Sequence, residues 1–219
     1  MTKKIAPSIL AADLGHLAQA VSQVEAAGAD YIHIDVMDGR FVPNITVGLP
    51  VVKTLSKLTS LPLDVHLMIE EPERYLDDFA QAGSSILVVH AEVCRHLHRA
   101  VQHIKELGLK AGVALNPGSA LSQLESILPE LDLLLIMTVN PGFSGQKFIP
   151  GCLPKVATAR RLIDAAGVNM ELEVDGGINL STIEMVAEAG ADVFVAGTGI
   201  FNQKDIHAII ASMRKMVGA

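Results

Sequence analysis

The sequence predicts an α/β protein built as a closed (β/α)8 barrel, and three observations carry that expectation. The 219 residues match the roughly 200–250 that a parallel α/β barrel occupies as one unit, so residues 1–219 are read as a single domain. Short apolar runs alternate with longer segments of helical periodicity along the whole chain, as repeated βα units do. Glycine recurs at one point of that alternation. Ala27-Gly28-Ala29-Asp30, Ala82-Gly83-Ser84 and Ala189-Gly190-Ala191-Asp192 each place it where a helix turns left-handed before a strand.

Taken in order, the apolar run Ile5–Leu10 leads to a helical segment near Leu14–Ala27, and Tyr31–Val36 leads to Leu49–Leu58. Leu63–Met68 precedes Pro72–Gln81, and Ile86–His90 precedes Arg95–Leu107. Ala111–Leu115 is followed by Leu121–Leu128, and Leu133–Val139 by Cys152–Ala166. Leu172–Val174 and Ser181–Ala189, then Val193–Ala196 and Asp205–Met216, complete the pattern. Near-continuous Val, Ile and Leu suit parallel strands buried on both faces. An open doubly wound sheet would carry a Gly-rich turn after its first strand, whereas this one ends in Pro7-Ser8-Ile9-Leu10. A TIM barrel is the better fit.

Composition narrows the function. Half the residues are hydrophobic, 4% are aromatic and Trp is absent, so the core is aliphatic. The net charge is −7, which disfavours nucleic acid, because binding there begins with basic side chains and stacked aromatics. Two cysteines, Cys94 and Cys152, make neither a disulfide framework nor a thiolate metal site. The amino terminus lacks a signal-peptide core and charges interrupt every apolar run, so a soluble cytoplasmic protein without membrane contact is expected.

Active sites of such barrels lie at the C-terminal ends of the strands. Side chains alternate faces along a strand, so His33, Asp35 and Met37 share one face of Ile32-His33-Ile34-Asp35-Val36-Met37. Asp64, His66 and Met68 do the same on the next strand, and Asp175 tips Glu171-Leu172-Glu173-Val174-Asp175. Two imidazoles and two carboxylates aimed into one mouth suit one divalent ion, Zn, Fe, Mn or Co. Asp64 and Glu173 fall deeper, with Glu173 the candidate for orienting a ligand. The loops after strands 6, 7 and 8 carry Gly142-Phe143-Ser144-Gly145, Gly176-Gly177 and Gly197-Thr198. Backbone amides there can cradle a phosphate without a basic cluster.

These segments, with Ala6-Pro7-Ser8-Ile9-Leu10, Asp38-Gly39, Phe41-Val42-Pro43-Asn44, Asp64-Val65-His66-Leu67-Met68, Val139-Asn140-Pro141-Gly142-Phe143 and Val195-Ala196-Gly197-Thr198, resemble the ribulose-phosphate 3-epimerase family along almost the whole chain. The resemblance implies an isomerase of carbohydrate metabolism, in the pentose phosphate pathway, interconverting ribulose 5-phosphate and xylulose 5-phosphate. It implies His33, Asp35, His66 and Asp175 as ligands of one divalent metal such as zinc, with no organic cofactor, and Asp35 and Asp175 as the proton-transfer pair. Inverting a carbon beside a ketone needs acid and base on opposite faces, and a Lewis acid stabilises the enediolate. Met37, Met68 and Met137 would form an apolar lid, with Ser8 and His66 as further substrate contacts. Ser144 and Gly199 depart from the family pattern.

Three alternatives compete with this reading. A 3-epimerase of a hexulose 6-phosphate such as allulose 6-phosphate would share the site motifs. A zinc-dependent ketose-phosphate aldolase would use a third His where a carboxylate stands here, and a non-catalytic sugar-phosphate binder would need neither Asp35 nor Asp175. His96, His98 and His103 near Cys94 read as a solvated helix, His90 as a site neighbour, and Lys147, Lys155, Arg160 and Arg161 as surface charges. A homo-oligomer is left open, since no interface is legible.

Overall fold

In the computed structural model, which describes residues 2–219, eight parallel strands close around one axis: β1 (Lys4–Pro7), β2 (Ile32–Met37), β3 (Leu63–Met68), β4 (Ile86–His90), β5 (Lys110–Leu115), β6 (Leu133–Met137), β7 (Glu171–Asp175) and β8 (Val193–Ala196). Their order is β1-β8-β7-β6-β5-β4-β3-β2. The remaining seam between β1 and β2 is joined by a parallel bridge from Ser8 to His33 and by the Asp30 and Tyr31 amides, which both donate to the Ile5 carbonyl. The chain is a (β/α)8 barrel.

Alternation sorts the side chains into layers. Ile32, Ile34 and Val36 pack outward against the helices, while Val88, Ala114, Leu133, Leu135 and Val193 fill the interior. Met37, Val42 and Met68 form a separate patch over the mouth, with Leu10 and Phe41 against it.

The helices are α1 (Leu17–Ala26), α2 (Leu49–Leu55), α3 (Leu76–Ala82), α4 (Leu97–Glu106), α5 (Leu153–Ala166), α6 (Ile183–Glu188), α7 (Thr198–Phe201) and α8 (Ile206–Val217). Gly28, Gly83 and Gly190 do turn left-handed, with φ of 87°, 103° and 106°. Leu121–Leu128, expected as a helix, is not one. It contains a 3-10 turn at Leu121–Leu124, with another at Leu128–Glu130. Pro129 lacks the amide hydrogen that an α-helix continuing through it would use, yet Leu124, Ile127, Leu128 and Leu131 are still buried. The apolar spacing served packing without a helix. Conversely, α7 is an additional turn between β8 and its outer helix α8.

The base of the barrel carries a repeated stitch. Asp30, Ser85, Asp132 and Asp192, standing just before β2, β4, β6 and β8, accept the amide hydrogens of Ile5, Leu63, Ala111 and Leu172 at 2.8, 3.2, 2.9 and 3.1 Å. Each even-numbered strand thereby satisfies an otherwise unpaired amide near the start of its odd-numbered predecessor. Among the described residues, no helix is long and apolar enough to cross a membrane.

Candidate active site

At the opposite end, β2, β3 and β7 bring His33, Asp35, His66 and Asp175 together, with one ligand-type atom of each within 4.8 Å of all the others. His33, Asp35 and His66 are buried; Asp175 is half-buried, facing the cavity above. Asp35 Oδ1 lies 3.4 Å from His33 Nε2 and 3.3 Å from His66 Nδ1. Its other oxygen accepts a 2.5 Å hydrogen bond from the Ser8 hydroxyl, and its carbonyl accepts one from Thr46 at 2.6 Å. Asp35 is thus held at its side chain and at its main chain.

Each imidazole has its own support. His33 Nδ1 is 2.5 Å from Asp64 Oδ2, whereas Glu173 Oε1 is 3.9 Å from that nitrogen and neither Glu173 oxygen has a hydrogen-bond partner. Asp64, not Glu173, orients His33; the register of β2 on β3 pairs His33 with Asp64, which local pattern alone did not decide. His66 Nε2 is 2.8 Å from His90 Nε2, and His90 Nδ1 is 3.0 Å from Glu92.

Charge at this point is unbalanced. Asp35, Asp64, Asp175 and Glu173 converge with no Lys or Arg among their recorded partners, and burying such charge without a cation is costly. Burial opposes the charged form of His33, but Asp64 and then Asp35 outweigh it and hold its pKa well above the usual imidazole value. Burial lowers that of His66 to about 4, which favours a neutral ring with a free lone pair. The two aspartates are pushed apart. Burial would raise Asp35, yet His33 and His66 hold it well below the carboxylate range. Burial and the neighbouring Asp35 carboxylate raise Asp175 to about 7. Burial and Asp64 also raise Glu173 well above its normal value.

The donor set fits a divalent cation. His33 Nε2 is buried without a hydrogen-bond partner and faces Asp35. A second cluster of His33, Asp64 and Glu173 fits less well, because the nitrogen it would use is already bonded to Asp64.

Above the carboxylates lies a cavity of about 230 Å³. Ser8, Met37, Met68 and Met137 line its floor side; Gly142, Phe143, Ser144, Gly145, Gly176, Gly177, Gly197 and Thr198 line the rest. The expected substrate contacts therefore share one space, except His66, which lies beneath it. Lys147, expected as a surface charge only, is exposed but also borders this cavity. A larger groove of about 780 Å³ runs beside it, but its charges close on one another, as Arg40 with Glu70 and Arg74 and Arg95 with Glu71.

The loops around the cavity hold their shape by close approach. A Cβ at Gly177, where φ is +70°, would meet the Phe148 amide nitrogen at 2.3 Å, and one at Gly199 would meet the Ile178 carbonyl at 2.4 Å. Gly199 is thus a packing requirement of this chain. Thr138, which sequence reasoning passed over, donates to the Asp175 and Gly176 carbonyls at 2.9 and 2.6 Å. Glu92 was also missed; a polar residue two positions beyond a strand-end histidine was the available signal. His98 and His103, set aside earlier, pair with Glu130 and Asp77 on the surface.

Comparison with known proteins agrees with this geometry. The model of the ribulose-phosphate 3 epimerase family matches residues 4–201. The chain is 54% identical over 212 residues to ribulose-phosphate 3-epimerase of Bacillus subtilis (strain 168), covering 96% of this chain and 98% of that protein. It is 51% identical to the enzyme of that name from Synechocystis, covering 96% and 92%. Among solved structures, 3-hexulose-6-phosphate synthase from Salmonella typhimurium superposes with a TM-score of 0.73 at 18% identity, covering 98% of both chains; that likeness concerns the fold alone.

Proposed function

Because the chain belongs to the ribulose-phosphate 3-epimerase family and is an epimerase of that kind, we propose that it interconverts ribulose 5-phosphate and xylulose 5-phosphate by two-base proton transfer between Asp35 and Asp175. The observation that carries this reading is the placement of the two aspartates. Asp35 from β2 and Asp175 from β7 line one cavity and meet His33 and His66 in one cluster. Two carboxyl groups that reach one reacting carbon from different strands can exchange the roles of acid and base.

In one direction Asp35 removes the C3 proton and Asp175 delivers another from the opposite face; the return reaction exchanges the roles. Ser8 fixes the Asp35 rotamer through its 2.5 Å hydrogen bond. Met37, Met68 and Met137 keep bulk water from the reacting carbon, where it would protonate the flat intermediate indiscriminately. His33, Asp35, His66 and Asp175 would hold a divalent metal, with zinc, iron, manganese and cobalt all suited to these N and O donors. When bound, it supplies Lewis-acid stabilisation of the charge that develops beside the ketone. Backbone amides near Gly177, Gly197 and Thr198 receive the phosphate, with the loop from Gly142 to Gly145 folded over it.

Incubation with ribulose 5-phosphate in deuterated buffer tests the proposal. It expects xylulose 5-phosphate carrying deuterium at C3, and loss of turnover after chelation that zinc or another divalent ion restores. Product without deuterium, or full activity in Asp35→Asn, would overturn it.

A further inference from the structure

The support behind His66 differs from that behind His33, and it contains a choice that only proton placement can resolve. His66 Nε2 and His90 Nε2 face each other at 2.8 Å, with the ring planes 25° apart. Two imidazole nitrogens at this distance share one hydrogen: two would collide, and none would leave opposed lone pairs. Either ring could donate as far as that contact alone is concerned.

The far end of the chain decides. His90 Nδ1 lies 3.0 Å from Glu92 Oε2. The other Glu92 oxygen accepts the Asn116 amide at 2.8 Å and the Ser119 hydroxyl, so the group is anchored as an acceptor. His90 itself is fully buried, with Phe41 packed on its ring at 4.7 Å between centroids. With one proton on each ring, the carboxylate claims the His90 hydrogen for Nδ1. His90 Nε2 must then accept and His66 Nε2 donate, which leaves the His66 lone pair on Nδ1. Asp35, 3.3 Å away, claims a proton on that nitrogen unless a cation stands between them, so this arrangement belongs to the cation-bound site.

We infer that Glu92 and His90 are positioning residues that set the tautomer of His66, so that its Nδ1 lone pair points to the place shared by His33, Asp35 and Asp175. The inference rests on the cation reading above. Asp64 performs the same service for His33 in one step, turning Nε2 inward. The two imidazoles therefore present different nitrogens to one point, each selected by a carboxylate behind it.

Ring-nitrogen NMR of the intact protein, labelled at histidine with nitrogen-15 and recorded before and after zinc addition, reads the tautomers directly. With zinc bound, the expected spectrum has His66 protonated at Nε2 and His90 at Nδ1. A zinc-loaded wild type with His66 protonated at Nδ1, or with a His90 ring carrying both protons, overturns the inference without any variant. Glu92→Gln supplies an amide that can donate to His90 and permit the reversed chain. It is expected to mix the His66 tautomers and weaken zinc binding, measured by chelator competition, by roughly 10–100-fold. His90→Gln, whose carbonyl can accept from His66, should retain more affinity than His90→Leu; an unchanged tautomer and affinity in Glu92→Gln overturns the role of Glu92. If the wild type takes up no zinc, the cation reading fails and this inference with it, whereas zinc bound beside the wrong tautomer overturns the inference alone.

Discussion

The two sides of the barrel mouth are built from different materials. On the β1–β4 side, function resides in side chains: Ser8, His33, Asp35 and His66 are buried and each is fixed by a named partner. On the β6–β8 side it resides largely in main chain, shaped by glycines that admit no Cβ at Gly177 or Gly199. Asp175 stands where the two meet. The first side depends on what each residue carries, the second on what its residues lack. Mutations should therefore fail differently on the two sides, in turnover and metal affinity on one and in substrate affinity and stability on the other.

The largest expected effect tests the acid–base pair that spans the division. Asp35→Asn and Asp175→Asn should each lower kcat by about 10²–10⁴-fold, the range of a lost general acid or base, as read in a coupled assay of xylulose 5-phosphate formation. A near-normal rate in either variant would break the assignment. Next comes Asp64→Asn, which leaves a side chain of the same shape but removes the charge that orients His33. Zinc affinity should fall roughly 10–100-fold, and excess zinc should restore much of kcat. Loss of activity that zinc cannot restore would instead place Asp64 in the chemistry.

On the main-chain side, Gly177→Ala forces a left-handed residue against Phe148, costing about 1–3 kcal/mol of stability and, if the loop shifts, raising KM by about tenfold, or 1.4 kcal/mol. Denaturant titration and steady-state kinetics separate the two losses; an unchanged KM would remove Gly177 from the phosphate site. The smallest effect is expected at Ser144. Its hydroxyl lies 3.5 Å from where a Gly197 Cβ would stand, at an exposed position on the rim. Ser144→Gly should raise KM only about two- to fivefold, as for a hydrogen bond worth about 0.5–1 kcal/mol, without altering kcat.

What could be read from sequence follows the same division. Strand alternation placed His33, Asp35 and His66 on inward faces because that signal is local, and the runs Leu63–Met68, Ile86–His90 and Val193–Ala196 coincide with β3, β4 and β8. The supports were less legible. Asp64 was ranked below Glu173 as an orienting group because the relative height of residues on β2, β3 and β7 is a matter of register. Ser8 reads as a substrate contact, and its bond to Asp35 joins a residue just beyond β1 to one on β2 across the closure of the barrel. The chain from His66 through His90 to Glu92 and Asn116 spans three successive βα units, so no single motif contains it. The fifth connection misled for a local reason: Leu124, Ile127, Leu128 and Leu131 have helix-like spacing, and Pro129 had to be weighed against it.

The side-chain bonds from Asp30, Ser85, Asp132 and Asp192 to strand amides join the eight strands in twos at the base, while the same residues also reach across the pairs, as Asp192 to Lys3 and Asp30 to Arg214. A backbone cut between α4 and β5 would sever none of them, whereas a cut between β3 and β4 would divide Leu63 from Ser85. Two separately expressed halves, joined at the first of these points, should reassemble more readily than fragments divided at the second. The stitches thus lay a twofold grouping over a barrel whose strands pair continuously, and they do so on the floor, away from the chemistry.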